Sequence, residues 1–361
     1  HTRLVSDWSS DVCSSDLNAP QQLGSKFMLM SFQINHDDQV ILRRVDGTSL
    51  LLRDTLRRGR QEGLWNLSEN DARGPVVDDT GYGVTTMDDL WEKYPNLTDV
   101  KLPGVKHYLV DDIGLKEQVD CSAIPCRPLA CGVEMQIEEQ ISEFIDVGAI
   151  EEIQRPPMIL TPLIPVPQKG NKIRVVMDFR ALNSATVPLQ GIPLDRMRML
   201  GHLPKKAVWS VIDMRKGFLQ VPLSPKIRSY FGFLFQSKFF QYKRCPFGWV
   251  SSMGHFQKAL SITLSRIVKR LNKSTVIFYY VDDLLVGSDS TLEHLRDLDI
   301  IFSEFARDGW KLNGEKSKWC TNSVEYLGAE LCAEGVRPSN GLIRKLNELP
   351  KPECAKDLRI V

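Results

Sequence analysis

Three carboxylates in this 361-residue chain stand where carboxylates are costly. Asp282 and Asp283 lie side by side in STVIFYYVDDLLVGS, residues 274–288, an otherwise β-branched and aromatic run. Such a run reads as two short strands, with the acidic pair on the turn between them. Asp213 closes a second apolar run, VWSVID, 69 residues earlier (282 − 213). Two strands of one sheet would bring these groups together, and unpaired carboxylates that close repel each other. Hard divalent cations relieve that repulsion, and two of them held by carboxylates are the machinery of phosphoryl and nucleotidyl transfer. The plainer reading of the pair is a solvated hairpin tip, so the elements around it must decide.

Those elements alternate. Ile137, Ile141, Phe144 and Ile145 recur at helical spacing after Val133, with Glu134, Glu138, Glu139 and Glu143 between them and Gly148 as the stop. LTPLIPVPQKGNKIRVVMDFRALN reads as two β-rich runs joined by a Lys-Gly-Asn turn, and SYFGFLFQSKFFQYKR as a hairpin. Ser251 or Ser252 can cap a helix whose inner face is Met253, Phe256, Leu260, Leu264, Ile267 and Leu271. Leu292, Leu295, Leu298, Phe302 and Phe305 mark another helix, ended at Gly309. Mixed elements without Gly-rich phosphate loops imply an α+β architecture.

The motifs carry a resemblance. YYVDDLLVGS resembles the tyrosine–x–aspartate–aspartate motif of reverse transcriptases, with Tyr280 as its tyrosine. VIDMRKGFLQVPL resembles their first catalytic motif, and IRVVMDFRALN a fingers motif. YKRCPFGWVSSMGHFQ resembles the palm–fingers boundary, and VEYLGAEL the primer-grip hairpin. GVKHYLV and EEQISEFIDVGAIEE resemble the lead-in of polymerases from gypsy-type LTR retrotransposons. A lone YVDD is weak, but five motifs in register from about Lys101 to Val361 are specific.

The resemblance implies a right-hand polymerase fold: fingers, a palm whose antiparallel sheet packs on helices, and a thumb that stops short at KDLRIV. It also implies an RNA-directed DNA polymerase. Asp213 and Asp282 would be the main metal ligands, with the Met214 carbonyl helping and Asp283 peripheral, for two Mg²⁺ ions or Mn²⁺ in their place. Arg174 would lie over the incoming deoxynucleoside triphosphate, its planar fork suited to phosphate oxygens. Lys169 would share that task or be a plain turn lysine, while Phe218 and Phe247 would wall the pocket. Asp178, Arg180 and Asn183 would support fingers and template, with a structural Asp178–Arg180 ion pair the equal alternative. Tyr280, Tyr326, Leu327 and Gly328 would hold the primer, against ordinary hairpin packing for the last three. Cys245, Trp249 and Met253 depart from the family pattern around the pocket.

Residues 1–17 show no period, and Asp7 to Leu17, reverse-translated, fits a sequencing-adapter read in one frame, so they read as a non-native tail. Residues 18–95 are an unassigned acidic region with strands expected at QVILRRV and SLLLRDTL. Residues 96–150 read as the lead-in, 151–336 as fingers and palm, and 337–361 as the shortened thumb. Asp79-Thr80-Gly81 matches the aspartic-protease tripeptide but reads as a turn. Cys121, Cys126 and Cys131 with His107 fit no standard zinc spacing, which disfavours zinc. No apolar run is long enough to span a membrane, and scattered cysteines suit a reduced, intracellular, cytoplasmic setting.

The net charge of +1 conceals a division. Residues 1–150 hold 14 Lys+Arg against 25 Asp+Glu, and residues 151–361 hold 32 against 20, giving −11 and +12. The basic portion suits a polyanion, here an RNA or DNA template with its primer. A non-catalytic nucleic-acid-binding remnant of a truncated element is the alternative from another functional class.

Overall fold

The computed structural model describes residues 31–34, 40–43, 49–51, 86–116, 132–168, 170, 172–189, 191 and 196–348. The adapter-like tail, the Asp79-Thr80-Gly81 tripeptide, the three closely spaced cysteines and Lys169 lie outside them. Strands β1 (Ser31–Ile34), β2 (Val40–Arg43) and β3 (Ser49–Leu51) form an antiparallel sheet, two of them where strands are expected.

Helix α1 (Met87–Lys93) opens on a capping box in which Thr86 and Asp89 satisfy each other's backbone N–H groups. After a 3₁₀ turn (Pro95–Thr98) the chain runs on to Val110 without helix or strand, across the rest of the molecule. Val105 N–H donates to the Gln220 carbonyl at 2.9 Å, Lys106 N–H to Asp308 at 2.9 Å and Val110 N–H to Pro222 at 3.0 Å. Leu312 N–H donates back to Leu97 at 2.7 Å, and the buried Lys311 ammonium bonds the Asn96 carbonyl and Asp99. The lead-in is therefore built into the core of the molecule.

Helix α2 (Glu134–Asp146) buries Ile137 and Ile141 and ends where Gly148 takes a left-handed φ of +78°. Ile145 was expected on the inner face but is exposed, because the helix rests on a stripe narrower than the four apolar positions. Strands β4 (Ile150–Ile153), β5 (Leu163–Pro167) and β6 (Ile173–Met177) follow, the last two forming the expected hairpin. Short helices α3 (Arg180–Ala185) and α4 (Arg196–Gly201) lead to β7 (Val208–Asp213). Strands β8 (Gly232–Phe235) and β9 (Lys238–Tyr242) pair as expected and add β4 at one edge.

Helix α5 (Ser252–Ile267) buries Phe256, Leu260, Leu264 and Ile267. Neither serine caps it by its side chain: Ser251 Oγ accepts from Leu189 N–H and Ser252 Oγ donates to the Pro246 carbonyl. Both hydroxyls thus fix the loops leading into the helix. Strands β10 (Val276–Tyr280) and β11 (Asp283–Ser288) precede α6 (Thr291–Asp308), capped by Ser290 and ended by Gly309 at φ +85°. Leu292, counted in the apolar stripe of α6, sits in its first turn and is exposed. Strands β12 (Lys318–Thr321), β13 (Ser323–Tyr326), β14 (Ala329–Cys332) and β15 (Gly335–Pro338) and helix α7 (Asn340–Asn347) complete the described chain.

The central sheet has the order β10–β11–β7–β12 and is antiparallel throughout. Its side chains alternate between two cores. Ile212, Leu284, Val286, Ile277 and Tyr279 join Phe256 and Leu260 of α5 and Leu298 and Phe302 of α6. Trp209, Leu285, Val276 and Phe278 face the other way, onto Met199 of α4 and Val324, Tyr326 and Leu331 of the β13–β14–β15 sheet. Gly287 pairs directly with Trp209, and a Cβ there would come within 2.4 Å of the indole ring, so only glycine fits beneath it.

Candidate active site

The second face of the central sheet runs out of apolar residues at one end. There Tyr280, Asp283 and Asp213 stand in one row across β10, β11 and β7, each the register partner of the next. Direct partners on adjacent strands point to the same face, so the row is a shared wall. Both main-chain groups of Asp213 bond on the far edge of β7: its N–H donates to Ser317 Oγ at 3.0 Å and its carbonyl accepts from Asn313 N–H at 2.8 Å. The Asp213–Asp283 pair is therefore of the non-hydrogen-bonded kind, which sets Cα atoms about 4.5 Å apart and side chains closest together.

Asp282 completes the group from the two-residue turn. Its carbonyl accepts from Met214 N–H at 3.2 Å, which ties the turn to the residue after Asp213. Val281, the other turn residue, has φ +56°, a left-handed conformation that a β-branched side chain rarely adopts. Gly217 closes against the same spot: a Cβ on it would lie 3.3 Å from the Asp282 Cβ and 3.3 Å from the Phe256 ring.

Electrostatics agree with crowding. Burial raises the Asp282 carboxyl above its ordinary value, and the neighbouring Asp213 adds to the effect. Asp283 is pushed up to about 6, first by burial and then by Asp282 and Asp213. Burial raises Asp213 as well, against the pull of Lys316, a hydrogen bond from the Asn313 side chain and Arg215. Three acids that resist ionisation together at one sheet end form a site that attracts positive charge.

Among the described residues, no group of three or more His, Cys, Asp or Glu side chains is placed to hold a metal ion. The donor set still fits hard divalent cations of the Mg²⁺ kind. Such ions are held by one or two carboxylates, with water and substrate phosphate completing the shell, rather than by an all-protein cage.

The flanking aromatic residues are in contact. Phe218 lies half-buried in a 3₁₀ turn (Gly217–Gln220), its ring 5.3 Å from Phe247 and 5.6 Å from Phe256. The exposed guanidinium of Arg174 on β6 sits 6.0 Å from the Phe247 ring centre, which joins the β5–β6 hairpin to this wall by a cation–π contact. Cys245 is fully buried, and Trp249 is buried and stacked on His255 with centroids 5.2 Å apart. These departures from the family pattern are thus absorbed by packing behind the pocket.

Other expected site residues are placed differently. Buried Asp178 makes a two-pronged ion pair with exposed Arg180, closest approach 2.6 Å. Asn183 spends both ends of its amide on the CPFGW turn, donating to the Gly248 carbonyl and accepting from Val250 N–H, each at 2.9 Å. Tyr326 is buried, and its hydroxyl lies 3.4 Å from the Asp283 carbonyl, so it braces the acidic turn from behind. Leu327 and Gly328 form the β13–β14 turn with φ of +52° and +76°. Lys316 went unnoticed in sequence although it faces both Asp213 and Asp282. The only signal was a polar, turn-forming NGEKSK, residues 313–318, a few residues beyond the α6 helix.

Residues 166–331 match the family model described as reverse transcriptase (RNA-dependent DNA polymerase). That stretch belongs to the reverse transcriptase family. The Retrovirus-related Pol polyprotein from transposon 297 of Drosophila melanogaster is 30% identical over 236 residues, covering 64% of this chain and 22% of that protein. The corresponding protein from transposon gypsy of the same organism is 26% identical over 243 residues, covering 64% and 22%. A foamy viral protease–reverse transcriptase solved with double-stranded DNA superposes with a TM-score of 0.67 at 20% identity, covering 80% of this chain and 53% of that one. The likeness shows the fold: a reverse transcriptase right hand, α+β, with the carboxylate row at the end of its palm sheet. This chain spans about a fifth of the length of the curated relatives it matches. No helix among the described residues is long and apolar enough to cross a membrane.

Proposed function

We propose that this chain is an RNA-directed DNA polymerase that extends a primer on an RNA or DNA template by two-metal nucleotidyl transfer. The observation that carries the reading is the register pairing of Asp213 with Asp283, with Asp282 held beside them in the turn. Asp213 and Asp282 would hold two Mg²⁺ ions, or Mn²⁺ in their place, with Asp283 and the Met214 carbonyl in support. When bound, such ions make the attacking hydroxyl of the primer more acidic and neutralise charge on the leaving pyrophosphate.

The chain's own groups then bind and orient. Arg174, with Lys169 five residues before it in sequence, receives the triphosphate of the incoming deoxynucleotide, and the Phe247 ring beneath the guanidinium sets its approach. Phe218 and Phe247 wall the sugar and base. Asn183 and the Asp178–Arg180 pair keep the fingers turn in shape, and Tyr280, with Tyr326, Leu327 and Gly328 behind it, supports the primer end. Three cysteines of the described chain (Cys245, Cys320 and Cys332) are free thiols, which suits work inside the cell.

Primer extension with Mg²⁺ tests this reading. Asp282→Asn should abolish extension by the purified chain while leaving duplex binding and the melting temperature nearly unchanged. Extension by the parent chain that persists in excess chelator would overturn the proposal, and duplex binding without extension would favour the remnant.

A further inference from the structure

β12 pairs with β7 only through Lys318–Val211 and Thr321–Trp209, so it ends short of Asp213. The partner of Asp213 on that edge is instead the turn that follows α6. Ser317 Oγ accepts the Asp213 N–H at 3.0 Å and itself donates to the Asn313 carbonyl at 2.6 Å. Asn313 N–H closes the ring by donating to the Asp213 carbonyl at 2.8 Å. Ser317 N–H also reaches the Asn313 carbonyl, at 3.0 Å, so the turn is locked onto itself. Asn313 Oδ1 accepts from Lys316 N–H at 3.4 Å, which leaves its amide NH₂ as the group that faces the Asp213 carboxylate. Lys316 is carried on the same turn.

We infer that Asn313 and Ser317 are positioning residues that hold Asp213 by its main chain and its carboxylate. The inference rests on the polymerase reading of Asp213. A carboxylate at the frayed end of a strand is free to swing about its χ angles and to lift with the backbone. Here a side-chain hydroxyl replaces the missing strand N–H···O=C partner, and the Asn313 amide lies on the carboxylate side of the same residue. Outer groups that orient a metal ligand commonly govern metal affinity or activity by 10–100-fold. The two residues act on different parts of Asp213: Ser317 on the backbone, Asn313 on the carboxylate as well.

The test uses the full chain and reads metal binding directly, by Mn²⁺ titration followed by electron paramagnetic resonance, beside primer extension. Ser317→Ala and Asn313→Ala should weaken Mn²⁺ binding and lower kcat roughly 10-fold or more, with duplex affinity and the KM for deoxynucleotide little changed. Ser317→Thr, which keeps the hydroxyl, should restore both. Asn313→Ala keeps both main-chain bonds to Asp213, so it reports even where Ser317→Ala fails to fold. Folded variants with parental Mn²⁺ affinity and kcat would overturn the positioning role while Asp213→Asn still abolished both in the parent. Mn²⁺ binding that Asp213→Asn leaves intact would instead overturn the polymerase reading and this inference together.

Discussion

At the scale of single residues, the proposed chemistry rests on three acids that the sequence exposes by contrast. A carboxylate inside VIFYYVDDLLVG has no structural task that valine or tyrosine would not perform better, so the pair stands out without any fold. Their separate characters do not stand out. Asp283 is the direct register partner of Asp213 and is pushed up to about 6, whereas Asp282 hangs on the turn. Removing one charge should relieve the others: in excess chelator at pH 8, Asp283→Asn should raise the melting temperature by roughly 2–4 °C, the response to about 1 kcal/mol in a domain of this size. A fall would show that the acids do not crowd one another. Phe218 is decided by a ratio. As the wall of the sugar pocket, Phe218→Val should admit ribonucleotides and leave deoxynucleotide incorporation largely intact, changing the ratio of kcat/KM values. As plain core it would lose packing of about 3 kcal/mol and both activities together. Its contacts with Phe247 and Phe256 set it at the border between the two. The left-handed torsion of Val281 and the placement of Lys316 near the acids could not be read from sequence, since neither backbone torsion nor the path of a turn is written in residue type.

At the scale of elements, periodicity located α2, α5, α6 and the strands of the palm, because each has one face that must be dry. It misplaced Ile145 and Leu292, which lie at helix ends where the apolar stripe leaves the core. It also read Ser251 and Ser252 as caps when their hydroxyls bind other loops, a tertiary choice that local sequence cannot show. The contact of α6 with the palm sheet includes a buried histidine. His294 bonds Ser210 of β7 at 2.7 Å and Ser288 of β11 at 2.9 Å, and burial pushes it down to about 4. In the unfolded chain the same imidazole takes its proton near pH 6.5, so between 6.5 and 4 the unfolded state binds more protons. Stability should therefore be full above pH 6.5 and fall as the pH drops toward 4. His255 is pushed down to about 4 as well, by burial and by Lys258, and adds to the slope. Thermal melts from pH 7.5 to 4.5 should show His294→Asn losing less than the parent; parallel curves would exclude the histidine as a source.

At the scale of the whole molecule, the charge division from −11 to +12 remains the argument for a polyanionic partner. Duplex affinity should fall steeply between 50 and 200 mM salt through counterion release. A chain beginning at residue 86 should bind at least as well as the full chain, since it sheds more acidic than basic residues and keeps α1. That helix belongs to the folded body: Trp91 lies 4.9 Å from Phe302, and Lys93 pairs with Asp299 at 2.9 Å. Flat binding across that salt range would remove nucleic acid as the partner. The sequence showed the motif order of the hand but not where its body begins. Apart from Leu102–Val147, the backbone bonds that tie residues 96–110 into place run to residues some 110–215 positions away, beyond any local pattern.

Those distant bonds also order events in time. A ribosome releases Asn96 and Leu97 long before Lys311 and Leu312, whose ammonium and amide they receive. A segment synthesised early is thus among the last to settle. Until the end of α6 and the turn after it emerge, the groups of Asn96, Leu97, Asp99 and Lys106 that they satisfy have only water, or a chaperone, as partner. Contacts of this sequence separation fold slowly. Cells making this chain at speed should therefore accumulate species with a formed fingers hairpin and an undocked leader, open to proteases at residues 96–110.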